Sequence, residues 1–434
     1  KYDKTEEFYN QSLAMCKELN DKQGIALTLG SLAALKLEMY DYNTAVDYAN
    51  QSLAVAQEID MQSVIKEAYR QLAWAHNATF VPEWAEEAYL NVISMNYKDI
   101  NRNFSILSES EKELFFKTIA EDFERFHSFA LQRMATNPTI TGEVYNNLLR
   151  NKGLLLKSGT AMRNAILGSG DEKLIQLFEN WIQVKQEVAK LYALPIQERT
   201  ADPVELEKKA NELEISLVKS SSEFSDFEKS LRIEWTDVKH GLKQGEAAIE
   251  FTNFTHGRDS VLYCALIITT DCENPWMVPL FEERQLVNIL GSYAGNNYQY
   301  INSVYGKNNQ PNTALYDIIW RPMEQYLKDI DNIYISPGGL LHKVSFSALC
   351  TGENSYIIDH CNLFLLSTTA KVTSMEKFLV DGETTFGLFG GITYSTIPAS
   401  GETWNYLKGT LDETLMIDGL LKELFSHVEL ITDT

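Results

Sequence analysis

The chain has 434 residues, 44% hydrophobic and 11% aromatic, with 38 Lys and Arg against 60 Asp and Glu for a net charge of -22. That length corresponds to two to four domains, and the acidic surface excludes a nucleic-acid or anionic-membrane role, because phosphates would be repelled. The five cysteines are odd in number and none is spaced like a metal knuckle, so reduced thiols in a reducing, cytoplasmic compartment are expected; no apolar run reaches the length of a membrane span.

In chain order, residues 1–103 come first and carry a repeat. Asn10-Gln11-Ser12-Leu13-Ala14 returns 40 residues later as Asn50-Gln51-Ser52-Leu53-Ala54, and Leu32-Ala33 returns as Leu72-Ala73. A fixed period of this size signals stacked helix pairs. Small and apolar residues three and four apart (Ala45, Tyr48, Ala49, Leu53) form a stripe on one helix face. Residues 104–235 continue as helix: one starting at Ser110 or Glu111 and running to Leu131, one after Thr141 running through Leu156, and a long charged pair over 172–191 and 203–230.

From Glu246 the pattern becomes β. Apolar runs at 247–251 and 261–268 flank the turn His256-Gly257-Arg258-Asp259 and read as a hairpin. Helices are expected at 284–296 and 312–328, then a strand at 332–336 followed by Pro337-Gly338-Gly339. Strands at 385–390 and 428–431, joined by a helix at 410–424, read as a parallel α/β unit with buried strands. The fold class is therefore multidomain: an all-α helical lobe, then an α/β lobe over 236–434.

The first hundred residues resemble tetratricopeptide repeats of the longer-helix kind. Three later stretches resemble the CHAT family: Leu148-Leu149-Arg150-Asn151-Lys152-Gly153-Leu154-Leu155-Leu156; Ile333 to Leu349, with Pro337-Gly338-Gly339-Leu340-Leu341-His342 at its centre; and Phe389-Gly390-Gly391-Ile392-Thr393-Tyr394. Ser345 stands where the family pattern has Pro. The resemblance implies a caspase-like, incomplete C-terminal lobe of a cysteine endopeptidase acting on protein substrates, with no metal or organic cofactor. It places repeats where they would bind a protein or peptide substrate or regulator. In that family the catalytic His and Cys end two later strands, so both are expected beyond Thr434, in a separate C-terminal catalytic segment, and no catalytic residue is assigned in this chain. A degenerate, non-catalytic repeat scaffold is the alternative.

The resemblance also implies a substrate pocket at Lys408 and Gly409, because in caspases a basic residue before Gly-Thr helps form the pocket for the P1 side chain. The competing expectation is that Thr410 caps the helix and Lys408 is merely exposed. Other histidines and cysteines are read as structural: His256-Gly257 as a turn, His240-Gly241 as a helix terminus, Cys264 as strand core, His342 as a structural hydrogen-bonder. His360 and Cys361 are read as strand neighbours facing opposite ways.

Overall fold

The computed structural model describes residues 2–194, 196–220, 231–257, 260–291, 297–307, 310–352, 355–374, 384–392 and 408–432. The chain forms two compact units: residues 1–169 with 218–373, and residues 170–217 with 374–434.

The first unit opens with α1 (Tyr2–Glu18), α2 (Lys22–Glu38), α3 (Tyr42–Glu58), α4 (Gln62–Ala78) and α5 (Pro82–Phe104). The first four helices have 17 residues each. Each ends in the same way. Asn20, Tyr40, Asp60 and Phe80 adopt φ of 53°, 59°, 53° and 58°. The amide of the next residue then reaches back five positions: Asp21 N to Cys16 O, Asp41 N to Lys36 O, Met61 N to Ala56 O and Val81 N to His76 O, all 2.9 Å. These are Schellman closures, which satisfy carbonyls the helix leaves orphaned. Asp21 and Asp41 then cap the following helices, accepting from the amides of Gly24 and Thr44. The backbone thus repeats every 20 residues, and two helices make the 40-residue period seen in the sequence. Fully buried alanines on successive helices, including Ala26, Ala33, Ala49, Ala73 and Ala85, allow close packing.

α6 (Glu109–Arg133) starts at a Ser108/Glu111 capping box. The expected helix from 141 to 156 is in fact two, α7 (Ile140–Asn151) and α8 (Leu154–Gly168). Gly153 breaks it at φ 66°, a left-handed turn that a side chain disfavours. α9 (Glu172–Ala193) and α10 (Pro203–Ser220) follow, and the last ten residues of the expected helix to 230 lie outside the described residues. After α11 (Trp235–Gly241) the chain enters a sheet.

The sheet contains β1 (Glu246–His256), β2 (Ser260–Thr269), β3 (Trp276–Glu282), β4 (Asn332–Ser336) and β5 (Asn362–Leu365), in the order β3-β2-β1-β4-β5. β1 and β2 are the expected hairpin, with Ala247 opposite Thr269. β4 lies parallel to β1, pairing Glu250 with Ser336, and β5 lies parallel to β4. The sheet is mixed. Successive side chains on a strand point to opposite faces. Ala248, Phe254, Leu266 and Ile268 pack with α5 to α8, whereas Ile249, Phe251, Ala265 and Ile267 form a second core with residues 281–357. Both faces are covered by apolar residues, so a charge inside this sheet requires a partner.

The second core includes α12 (Glu283–Leu290) and α14 (Ala314–Ile319), with α13 (Asn297–Tyr305) between them in sequence. α12 is shorter than expected and ends at Gly291 (φ 32°). The helix expected over 312–328 gives way at Trp320 to a 3-10 turn, Arg321–Tyr326, because Pro322 lacks the amide hydrogen an α-helix needs there.

The second unit contains β6 (Thr385–Phe389), α15 (Lys408–Lys422) and β7 (His427–Ile431). β6 and β7 are parallel, pairing Thr385 with His427 through Phe389 with Ile431. This is the strand–helix–strand unit read from the sequence. Its strands alternate exposed and half-buried positions, where continuous burial was expected.

Candidate functional site

Lys152 lies at the junction of α7 and α8, in extended backbone (φ -65°, ψ 125°). That turn aims its side chain at the middle of β1 and the C-terminal end of β4. Its Nζ donates to Ser336 O (2.8 Å), Ser336 Oγ (2.9 Å) and Pro337 O (3.1 Å), and forms an ion pair with Glu250 Oε2 at 2.7 Å. Glu250 is fully buried on the sheet face that meets the helices. Its Oε1 accepts from Thr369 N (2.6 Å), Thr369 Oγ1 (2.8 Å) and Thr368 Oγ1 (3.2 Å). Tyr145, also fully buried, shares a 2.8 Å hydrogen bond with Thr369 Oγ1.

The electrostatics follow from this enclosure. Burial pulls the Lys152 ammonium below its ordinary value, and Glu250 opposes that shift. Lys157, whose Nζ donates to Leu149 O at 2.6 Å, is pulled down to about 8 by burial, again partly offset by Glu250. Burial, reinforced by the Glu250 charge, pushes the Tyr145 phenol well up. Lys152 has every donor engaged, so it is a fastener and not a free nucleophile. It joins the Arg150-Asn151-Lys152-Gly153 stretch to the Ser336-Pro337-Gly338-Gly339 stretch, two motifs far apart in sequence.

The Pro-Gly-Gly turn is fixed from below by β1 and β2. A Cβ at Gly338 would fall 2.6 Å from Phe251 O. The Leu340 amide donates to Tyr263 Oη (2.9 Å), which donates to Glu283 Oε2 (2.8 Å). His342 is exposed on the following 3-10 turn and has no side-chain hydrogen bond among the described residues, contrary to expectation.

In the second unit, Lys408 is the first residue of α15, and its side chain lies outside the described residues. Gly409 follows with open space where a Cβ would stand. Thr410 is inside the helix and does not cap it. Its Oγ1 accepts from Gly391 N at 3.1 Å. A Cβ at Gly390 would come within 2.5 Å of Thr410 O, so the end of β6 sits directly against the first turn of α15.

Residues 309–430 match the CHAT domain. The CHAT match takes in β4, the Pro-Gly-Gly turn and the β6–α15–β7 unit, and it begins after the Lys152 stretch. No curated protein matches the chain significantly. The helical character of the N-terminal region is plain in the structure, while no family match covers its repeats.

Among the described residues no hydrogen bond joins a cysteine thiol to a histidine ring; the Cys350 and Cys361 thiols meet the backbone oxygens of Gly352 and Ile357. His256 ends β1 and shares a 3.0 Å hydrogen bond between Nδ1 and Ser128 Oγ. His240 is in the last turn of α11. His360 and Cys361 follow a 3-10 turn, Ile357–Asp359, where a strand was expected, because Asp359 accepts from the Tyr356 amide and curls the chain. His360 Nε2 sits 2.7 Å from Ser355 Oγ. Burial raises the thiols of Cys361, Cys272 and Cys264, the last to about 12, the opposite of what a thiolate nucleophile needs. Among the described residues no group of three His, Cys, Asp or Glu side chains could hold a metal ion, and no helix is long and apolar enough to cross a membrane.

Sequence reasoning missed Glu250, Thr369 and Tyr145. The available signal was Glu250 itself, one carboxylate inside the apolar run Ala247-Ala248-Ile249-Glu250-Phe251.

Proposed function

We propose that this chain supplies the helical repeats and the leading α/β segment of a CHAT-type cysteine endopeptidase that acts on protein substrates. The observation carrying this reading is the CHAT match over residues 309–430, whose strands include the parallel β6–α15–β7 unit. Its helical region, of tetratricopeptide type, recruits a protein substrate or regulator. The catalytic Cys and His belong to sequence outside residues 1–434, since none of the described thiols has an imidazole partner. Lys408 and Gly409, at the start of α15, line the pocket for an acidic P1 side chain, where the helix dipole already favours an anion. No cofactor takes part. With free thiols and a charge of -22, the protein is assigned to the cytoplasm, away from nucleic acid and membranes.

The absence of a thiol–imidazole pair among the described residues also favours a second reading, a non-catalytic scaffold built on the same elements. Purified residues 1–434 incubated with a broad peptide library should show no turnover. Turnover abolished by Cys361→Ala or Cys264→Ala would overturn the placement of the nucleophile. In the natural polypeptide, Lys408→Ala should reduce cleavage after Asp or Glu. No cleavage by that polypeptide would favour the scaffold.

A further inference from the structure

The strongest unassigned feature is an open cavity of about 320 Å³ lined by α2, α4, α5 and α6. Its wall carries four carboxylates, Glu38, Glu67, Glu121 and Asp122, and two guanidiniums, Arg70 and Arg125. The arginines are already held. Arg70 donates from Nε and Nη2 to both oxygens of Asp122 (2.8 and 2.7 Å) and from Nη1 to Glu67 (3.2 Å). Arg125 donates from Nε and Nη2 to Glu121. An anion entering the cavity would have to displace these carboxylates. Negative charge is in excess, and Glu38 is exposed at the wall with no partner among the described residues.

Two further observations point to a donor-bearing guest. Gln71 lines the cavity with 4% of its surface exposed. Its amide nitrogen is committed to Gly30 O at 3.0 Å, and its Oε1 is buried with no hydrogen-bond partner. A buried acceptor left unmade is costly, so it favours a ligand that brings N–H groups. Trp74 stands at the same wall, 42% exposed, with the Arg125 guanidinium 5.6 Å over its ring. The ring therefore already serves as a cation platform.

We propose that this cavity binds a lysine or arginine side chain of a partner peptide. The proposal rests on the recruitment half of the reading above and not on peptidase activity. Unpaired Glu38 supplies the charge, the Gln71 oxygen accepts a donated hydrogen, and Trp74 and Tyr89 flank the aliphatic stem.

The test is direct binding by the purified protein, so it stands or falls whether or not the polypeptide cleaves anything. The probes are a labelled neutral peptide carrying two arginines and its counterpart carrying two glutamates. Because Glu38→Arg replaces the attracting charge with a repelling one, it should weaken the arginine peptide about tenfold or more. Glu423→Arg, the same charge change on an exposed residue of the other unit, should leave binding unchanged. Equal weakening by both variants would reduce the effect to net charge and overturn the site. Tighter binding of the glutamate peptide, no binding of the arginine peptide, or an unchanged affinity in Glu38→Arg would each overturn it as well.

Discussion

At the scale of residues, Glu250 and Lys152 govern how the helices meet the sheet. Lys152→Met would leave Glu250 charged and buried without its cation. Breaking a buried pair from one side costs about 3–5 kcal/mol, and the expected outcome is a markedly lower thermal midpoint. Removing both charges, in Lys152→Met with Glu250→Leu, should recover part of that loss; no recovery would show that Glu250 matters mainly through Thr368 and Thr369. Lys157 makes a separate pH prediction. Its folded-state value is lowered to about 8, against an ordinary 10.5. Between those values the unfolded chain binds the extra proton, so this group makes stability rise with pH across that window, its destabilising effect being full below about 8. Unfolding midpoints measured from pH 7.5 to 10.5 should rise less in Lys157→Met than in the unsubstituted protein. Sequence alone presented Lys152 as one member of a motif. Its partners were illegible because the ion pair closes across about a hundred residues, and no local pattern encodes that distance.

At the scale of elements, the 40-residue repeat was legible because it is written in side chains, from Asn10-Gln11-Ser12-Leu13-Ala14 to its copy at 50–54. The 20-residue backbone period was not, because its left-handed positions are Asn20, Tyr40, Asp60 and Phe80, where a reader looks for Gly. That usage makes a stability prediction. Phe80 is 90% exposed, so Phe80→Gly gives up little packing and relieves a left-handed conformation costing about 1 kcal/mol. The unfolding midpoint should rise or hold steady; a clear fall would show that the ring packs in solution. Edge strands were also hard to read. β3 carries Pro279 within Trp276–Glu282, and proline in a strand is tolerated chiefly at a sheet edge, which is where β3 lies. β5, Asn-Leu-Phe-Leu, has only four residues, too few for a strand periodicity to show. By contrast, the β1–β2 hairpin and the β6–α15–β7 unit were readable from strand-length apolar runs and an intervening helix.

At the scale of the molecule, the change from helical to strand patterning near residue 246 was visible, since apolar periodicity shifts there. The grouping of 170–217 with 374–434 was not, because periodicity reports what an element is and not what it packs against. The candidate P1 pocket was legible only through family resemblance; the acidic cavity on the repeats was not legible, since its four carboxylates come from three helices. On the reading proposed above, a repeat-bearing region fastened through Lys152 to a sheet is followed by a segment that matches the CHAT domain, and the nucleophile is supplied from outside residues 1–434. A peptide probe with a thiol-reactive electrophile, applied to the natural polypeptide and mapped by mass spectrometry, tests that account most directly. The account predicts one labelled cysteine outside residues 1–434, with Cys16, Cys264, Cys272, Cys350 and Cys361 untouched. Active-site labelling of Cys361 or any other of these five, or no labelled cysteine at all, would contradict it.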